Sequence, residues 1–514
     1  MEKNLRKLMM IFFVLAVAAG LRFGLEFAFN IIWETFDLSN FSGYLVRGAF
    51  LALFAIIWLS ITIRSENPHQ KLPWLLLLAF EPVVGTTLFL TFGRNFKKSL
   101  RYRRRPYMHG DRYITHEVRP YEVEFPLLEY DEDIQEAAHT AHRLSHHQPF
   151  IDQSHIEVLH NGEEFYPDLV QSIQEAEHFI LFEFFILRSD GRGREIVDLL
   201  MQRAAEGIEV KIIIDALGSA MISPAYLRRI RRSNVEIIIN DRIYFPLFNT
   251  RINFRNHRKI VVVDGKIGYT GGMNIANEYD NTTMSGPYFR DTQLRIEGAA
   301  VRSLTALFFK DYYYNTGRFI DDDAYYPDYS VEGRGLVQIL QSGPDSDVAA
   351  IRNLYLKLIL NAKRSIKIMT PYMALDQETL TAIKVAAQSG VDVEIIIPGE
   401  PDKYLVYKVT KAFVGPLLKD GVKIYQYVRG FAHAKVLIVD DKIASVGSYN
   451  LDNRSAVIDF EVTALISGAS VGELLEDFEE DKRDSARIDA DAWFKRPLPT
   501  RLFEGIMSIF SPII

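Results

Sequence analysis

Two histidine–lysine pairs carry the chemistry in this chain. The first stands in His257-Arg-Lys259-Ile-Val-Val-Val-Asp264, followed after six residues by Gly271-Gly272-Met-Asn274. The second stands in His433-Ala-Lys435-Val-Leu-Ile-Val-Asp440, followed after six residues by Gly447-Ser448-Tyr-Asn450. Matched positions are 176 residues apart throughout (257 to 433, 264 to 440, 274 to 450). A neutral imidazole is nucleophilic enough to attack phosphorus, and a protonated one donates to a leaving oxygen. Lys259, Lys435, Asn274 and Asn450 supply positive charge and hydrogen-bond donors where phosphoryl oxygens gain negative charge. The small residues Gly272 and Ser448 let the backbone approach an anion. Two such half-sites provide one nucleophile and one acid around a single phosphodiester. A lone motif of this kind arises readily by chance; two with identical internal spacing do not.

The elements that position these residues repeat as well. In each copy the apolar run between Lys and Asp reads as a short buried strand, bounded by an Asp-Gly or Asp-Asp turn. Alternation along the strand turns His and Lys to one face. A second strand then returns the small pair and the Asn beside them. Upstream, the spacing predicts a helix over Phe165–Ala176, a strand over Phe179–Leu187, a helix over Arg194–Ala205 and a strand from Gly207 to Asp215. The same order returns as a helix over Ile351–Ala362, a strand over Ser365–Pro371, a helix over Gln377–Gln388 and a strand from Gly390 to Pro398. This rhythm predicts two similar α/β units, residues 153–325 and 335–485, each a mixed, largely parallel sheet covered by helices on both faces. Their motifs are expected to meet at the interface between the lobes.

These residues are also where the chain resembles a known family. Paired H-x-K-x4-D motifs with trailing Gly-Gly-x-Asn and Gly-Ser-x-Asn resemble the phospholipase D superfamily, most closely bacterial cardiolipin synthases. The words Arg255-Asn256-His257, Tyr449-Asn450-Leu451-Asp452 and Arg454-Ser455 support the narrower match. The resemblance implies a pseudo-symmetric bilobed catalytic domain and a phosphatidyl transfer between two phosphatidylglycerol molecules, giving cardiolipin and glycerol. It implies His257 as nucleophile, forming a covalent phosphatidyl-histidine, and His433 as the acid and later base. Lys259, Lys435, Asn274 and Asn450 would hold the phosphate, while Asp264 and Asp440 would orient the histidines or steady the site. No cofactor or metal is implied. Phe289-Arg290-Asp291 stands where the family usually carries Trp-Arg-Asp, a departure at the first ring. Glu183, inside the apolar strand, requires a buried partner.

The rest of the chain fits a lipid substrate. It has 514 residues and no cysteine, which excludes disulfides and thiolate metal sites, and its net charge of −7 argues against a protein that coats nucleic acid, although local patches matter more than the sum. Met9–Trp33, Gly43–Ile63 and Trp74–Phe92 are apolar stretches near the ~20 residues that cross a bilayer. Arg22 and Glu26 interrupt the first, and Glu81-Pro82 the third. The basic cluster Arg94, Lys97, Lys98, Arg101, Arg103, Arg104 and Arg105 follows directly. By the positive-inside rule it places the catalytic domain in the cytoplasm, and it suits anionic headgroups. The expected organisation is therefore a multi-pass membrane region (1–105), a polar linker (106–152), the two units, and a C-terminal tail (486–514) that suits a membrane interface. His139, His142 and His146 share a helix face in the linker, which reads as solvated rather than metal-binding. Ile243–Phe248 and Ala412–Leu418 are apolar runs that suit either lipid contact or core. The rival readings are a hydrolytic phospholipase D yielding phosphatidic acid, a membrane-tethered nuclease, and a non-catalytic scaffold.

Overall fold

The computed structural model describes residues 41–63, 68–82, 85–86, 88–89, 130–145, 150–151, 154–241, 254–283, 286–329, 331, 335–346, 348–509 and 511. The chain divides into two units, Met1–Phe96 with Phe245–Thr250, and Lys97–Tyr244 with Arg251–Ile514. In the first unit lie helices α1 (Phe41–Ile63) and α2 (Pro68–Phe80). Ile57, Ile61 and Leu78 bury together with Phe89.

The expected spans meet this unit unevenly. Met9–Trp33 and the basic cluster at 94–105 lie outside the described residues. Gly43–Ile63 coincides with α1, whose side chains are described only at Arg47, Gly48 and 52–63. Trp74–Phe92 is divided: α2 ends at Phe80, and Glu81 interrupts the helix before Pro82. The 13 residues of α2 span about 20 Å, short of the ~30 Å hydrocarbon layer. Among the described residues no helix is long and apolar enough to cross a membrane.

The second unit begins with α3 (Glu132–Leu144). The first lobe then runs β1 (Ser154–His160), α4 (Asn161–Glu175), β2 (Phe179–Phe184), α5 (Gly191–Ala205), β3 (Glu209–Asp215), α6 (Pro224–Arg232) and β4 (Glu236–Asn240). It continues with β5 (Ile260–Val263), β6 (Ile267–Gly271), β7 (Tyr288–Arg290), β8 (Thr292–Gly298) and α7 (Val301–Thr316). The second lobe runs β9 (Leu336–Ser342), α8 (Ala350–Asn361), β10 (Ser365–Met369), β11 (Met373–Ala374), α9 (Gln377–Gln388), β12 (Asp392–Pro398), α10 (Tyr404–Lys419) and β13 (Lys423–Tyr427). After these come β14 (Gly430–Ala432), β15 (Val436–Val439), β16 (Ile443–Gly447), β17 (Leu451–Asp452), α11 (Asn453–Val457), β18 (Glu461–Ser467) and α12 (Ala469–Arg483). The tail holds β19 (Ser485–Arg487), α13 (Ala490–Phe494) and α14 (Leu498–Ser508).

The two sheets have the same topology. Their orders are β1-β8-β6-β5-β2-β3-β4 and β9-β18-β16-β15-β10-β12-β13, the latter extended by β19. Only β2-β3-β4 and β10-β12-β13 are parallel runs; the other pairings are antiparallel. The sheets are thus mixed, as expected, but largely antiparallel instead of largely parallel, because each motif forms a hairpin that folds back on itself. Alternating βα segments built the parallel half; the β5–β6 and β15–β16 hairpins built the rest. Inward-facing residues of both sheets, such as Ile260, Val262, Ile438 and Val446, share one apolar core with Leu304 and Phe308 of α7 and Leu474 and Phe478 of α12. Each such side chain, fully buried, stabilises the fold by about 1.5–3 kcal/mol.

Three further segments bear on expectation: the linker departs from it, while the second apolar run and the tail take the core and docked alternatives open to them. The linker is not wholly solvated: Ala137, Ala138 and Ala141 of α3 enter the second lobe's core beside α8. Ala412–Leu418 is part of α10, with Val414 and Leu417 fully buried, while Ile243–Phe248 lies outside the described residues. The tail docks on the second lobe through α13 and α14, as detailed below.

Candidate active site

Each motif hairpin turns through residues in the left-handed region. Asp264 and Gly265 have φ of +52° and +65°; Asp440 and Asp441 have +54° and +60°. Aspartate and glycine tolerate that conformation where branched residues do not. The Asp264 carboxylate accepts the N–H groups of Glu177, His178 and Phe179 at 2.7–2.8 Å. Asp440 accepts those of Lys363, Arg364 and Ser365 at 2.6–3.0 Å. Both therefore fasten the turn to the start of the central strand, β2 or β10. Six residues lie between each and its histidine, four of them the strand β5 or β15, a run of about 20 Å. Of the two roles expected of Asp264 and Asp440, they steady the site by clamping its hairpins and do not orient the histidines.

The groups that do hold the imidazoles come from the opposite lobe. His257 Nδ1 lies 3.1 Å from Glu461 Oε2 and 3.2 Å from the Ser448 carbonyl. His433 Nδ1 lies 2.6 Å from Asp291 Oδ2. Glu461 opens β18, and Asp291 immediately precedes β8, its counterpart. The registers make them equivalent: Gly271 pairs with Gln293 and Gly447 with Thr463, each two residues beyond its carboxylate. Backbone pairing fixes the exchange. Strand β7 runs parallel to β14, aligning Arg290 with Ala432, and His433 N–H donates to the Arg290 carbonyl at 2.7 Å. Asn256 bridges Phe460, and His257 N–H donates to the Phe460 carbonyl at 2.9 Å.

The small residues serve those carboxylates. A Cβ on Gly272 would stand 2.0 Å from Asp291 Oδ1, so glycine leaves the carboxylate its place. At the matched position, the Ser448 hydroxyl donates to Glu461 Oε2. Gly272 and Ser448 thus admit an anion, as their size suggests, but it is the protein's own. Asn274 is engaged too: its amide nitrogen donates to the Tyr279 hydroxyl at 2.8 Å and its oxygen accepts Ile186 N–H at 3.1 Å. Asn450, its counterpart, keeps a buried Oδ1 with no partner.

Lys259 and Lys435 are buried between the lobes and lie back on their own motifs. Lys259 Nζ donates to the His257 carbonyl at 2.7 Å. Lys435 Nζ contacts the His433 carbonyl and lies 3.1 Å from His433 Nε2. Burial pushes Lys259 down to about 7 and Lys435 to about 8. Burial, then the charges of Lys259 and Lys435, hold His257 well below its ordinary value. Burial and Lys435 push His433 down to about 4 despite Asp291. Each half-site therefore feels the other half-site's lysine. Both imidazoles are neutral at pH 7 while the site is empty, and an incoming anion favours their protonated forms. Burial opposes ionisation of Asp291, yet His433 and Lys435 hold it below the usual carboxylate range. The direction that governs this pair is an ionised Asp291 beside a neutral His433.

Glu461 behaves differently, because burial lifts it to about 7. A carboxyl raised in the folded state binds its proton longer there than in the unfolded chain. It weighs against folding increasingly as pH climbs from about 4.5 to 7, and fully above 7. Glu461→Gln is therefore expected to stabilise the protein on the order of 1 kcal/mol at pH 8, with the gain vanishing near pH 4.5. Denaturant titrations of both proteins at the two pH values check this; an equal difference at both contradicts the assignment.

Surrounding residues complete the site. Phe289, the departure from Trp, packs with Tyr279 and Phe431 around the His433 ring at centroid distances of 5.1–6.0 Å. Phe185 meets the His257 ring at 4.9 Å. Glu183 accepts from Asn256 Nδ2, and burial, then Asp311, push its carboxyl well up. It is the buried partner of Asn256 behind the motif. Arg454 pairs with Asp459 at 2.9 Å, and the N–H of Arg255 reaches the same carboxylate at 3.3 Å.

Asp291 was visible in the sequence as part of Phe-Arg-Asp without a role, and Glu461 drew no notice. The available signal was a carboxylate at the head of an apolar strand after each motif, 17 residues past Asn274 and 11 past Asn450.

Comparison with known proteins places this geometry in a family. The family described as "Cardiolipin synthase, PLD-like domain" matches residues 169–282 and 355–482, one segment in each lobe. A cardiolipin synthase of Geobacillus kaustophilus is 38% identical over 481 residues, covering 91% of this chain and 95% of its own. The chain belongs to the cardiolipin synthase family. A second cardiolipin synthase, from a Geobacillus species (strain WCH70), is 36% identical over 515 residues and 99% of both chains. Among solved structures, a phosphatidylserine synthase of Haemophilus influenzae shares the fold with a TM-score of 0.57 at 18% identity. It covers 73% of this chain and 99% of its own. The two segments that match the cardiolipin synthase family each contain one motif, residues 257–274 and 433–450.

Proposed function

We propose that the protein makes cardiolipin and glycerol from two molecules of phosphatidylglycerol through a phosphatidyl-histidine. The observation that carries this reading is the reciprocal site, in which each lobe's carboxylate holds the other lobe's histidine above a buried lysine pair. His257 Nε2 attacks phosphorus of the first lipid; the P–O bond to glycerol breaks, and glycerol leaves with a proton from His433. The free glycerol hydroxyl of the second lipid then attacks phosphorus, gives its proton to His433, and the P–N bond to His257 breaks. Lys259 and Lys435 turn from their resting carbonyls to the phosphoryl oxygens, where charge develops. Asn450, whose buried amide oxygen has no partner, suits a donor, the glycerol hydroxyl of the incoming lipid, better than a phosphoryl oxygen.

Two features support His257 as nucleophile. Its side chain is 13% exposed against 8% for His433. Its carboxylate partner titrates near 7, whereas ionised Asp291 favours a proton on His433. The apolar stretches before residue 93 and the basic cluster after them support a membrane-anchored enzyme with the catalytic lobes on the cytoplasmic side.

The test is lipid mass spectrometry on purified protein in phosphatidylglycerol vesicles, with His257→Ala beside it. Cardiolipin plus free glycerol is expected, and neither from the variant. Phosphatidic acid as sole product would make water the acceptor and the protein a hydrolase. Neither product would return the reading to a nuclease or a scaffold.

A further inference from the structure

Helix α14 is docked inside out. An amphipathic helix on a globular surface turns its apolar stripe inward. Here the large apolar residues Leu498, Leu502, Ile506 and Ile509 are 72%, 61%, 47% and 55% exposed. At 100° per residue they fall within about 80° of arc, forming one outer stripe. On the opposite side Glu504 is only 3% exposed and faces the second lobe. Arg496 pairs with it at 2.9 Å and Lys408 of α10 at 3.6 Å, while the Arg496 guanidinium lies 3.3 Å over the Trp493 ring. The inward face is therefore held by an ion-pair network, and the helix keeps its apolar side for something else.

Charge and location name the occupant. The one acid of α14 is turned inward, while Lys495 and Arg501 stay exposed beside the stripe. An apolar stripe flanked by outward cations suits an anionic lipid surface. The far end of the tail is tied beside the active site. Asn453, three residues beyond Asn450, donates to the Ser511 carbonyl at 3.1 Å and to the Ala374 carbonyl at 3.1 Å. The stripe is thus rigidly linked to the segment that carries the second motif's asparagine.

We propose that the outer face of α14 lies on an anionic phospholipid bilayer and seats the catalytic lobes against the surface that supplies their substrate. The choice of occupant rests on the lipid-transfer reading. Leu498, Leu502, Ile506 and Ile509 enter the headgroup–acyl boundary, while Lys495 and Arg501 meet phosphates.

The direct test places a fluorophore in the stripe of the full chain. Leu502→Trp is reconstituted in phosphatidylglycerol vesicles with and without acyl-chain-brominated lipid, and the parent's own tryptophan signal is subtracted. The added indole is expected to emit to the blue of its water-exposed value and to lose roughly half its intensity to bromine, as at a depth of about 5–10 Å. An indole that stays water-exposed overturns the proposal. An indole that is blue-shifted but unquenched also overturns it, because protein then covers the stripe, either a second copy or the chain's own N-terminal helices. Quenching without cardiolipin formation would keep the docking and remove the synthase reading; cardiolipin without quenching would do the reverse. As a second measurement, Leu502→Gln with Ile506→Gln is expected to slow turnover of vesicle phosphatidylglycerol about tenfold. Turnover of a monomeric short-chain phosphatidylglycerol should be unchanged, and equal losses on both substrates would overturn the proposal.

Discussion

Asp291→Asn is expected to lower cardiolipin formation by roughly three to four orders of magnitude with little change in fold or stability, by analogy with the carboxylate of a hydrolase triad. The variant keeps the shape of the side chain and the 2.9 Å bond that Asp291 Oδ1 accepts from Thr292 N–H. It loses the negative charge 2.6 Å from His433 Nδ1. The imidazole then has no anion to favour its protonated form, and the amide can present a donor where an acceptor is needed. Because His433 must first give a proton and then take one, both half-reactions slow. Turnover in phosphatidylglycerol vesicles measures the loss, with circular dichroism as the control for folding. A variant within tenfold of the parent would remove Asp291 from the site. Rescue by Asp291→Glu is not expected, because the 2.6 Å contact with His433 Nδ1 is set by the length of the aspartate side chain.

Arg258→Ala is expected to destabilise the protein by about 3–5 kcal/mol. The residue between His257 and Lys259 is fully buried. Its guanidinium grips both oxygens of Asp311, reaches Gln341 Oε1 at 3.1 Å, and donates Nε to the Glu461 carbonyl at 3.2 Å. Alanine as such suits the motif, since Ala434 occupies the matched position in the second copy. The cost comes from stranding Asp311 without its counter-charge. Adding Asp311→Leu to Arg258→Met is therefore expected to recover most of the stability lost by Arg258→Met alone, read from denaturant titration. Activity should stay low in the double variant, because Glu461 has lost a backbone anchor.

Much of this architecture can be read before any coordinates. The 176-residue repeat announces two lobes, and the Lys-to-Asp apolar runs announce hairpins that appear as β5–β6 and β15–β16. What escapes is whatever depends on contacts between lobes. Asp291 and His433 are 142 residues apart, and Glu461 and His257 204. No local period connects them, and unequal loops hide the equivalence of the two carboxylates. For a related reason the sequence does not decide whether Asp264 and Asp440 orient the histidines or steady the site. Their place in the motif suggests chemistry, but a left-handed turn and three backbone donors explain it. The parallel sheet was overdrawn because βα alternation is conspicuous in sequence, whereas β8 and β18 return to the edge strands without a helical signature. Glu461 also lacked a signal of its own, since one acid at the head of an apolar strand looks like many others.

The exchange of carboxylates between lobes has a consequence for how the enzyme fails. If the lobes part even slightly, Asp291 and Glu461 withdraw together, and neither histidine retains its support. A partly opened molecule cannot form the covalent adduct and then stall for want of its acid. Opening therefore idles both half-sites at once, since neither motif is complete without the other lobe's carboxylate.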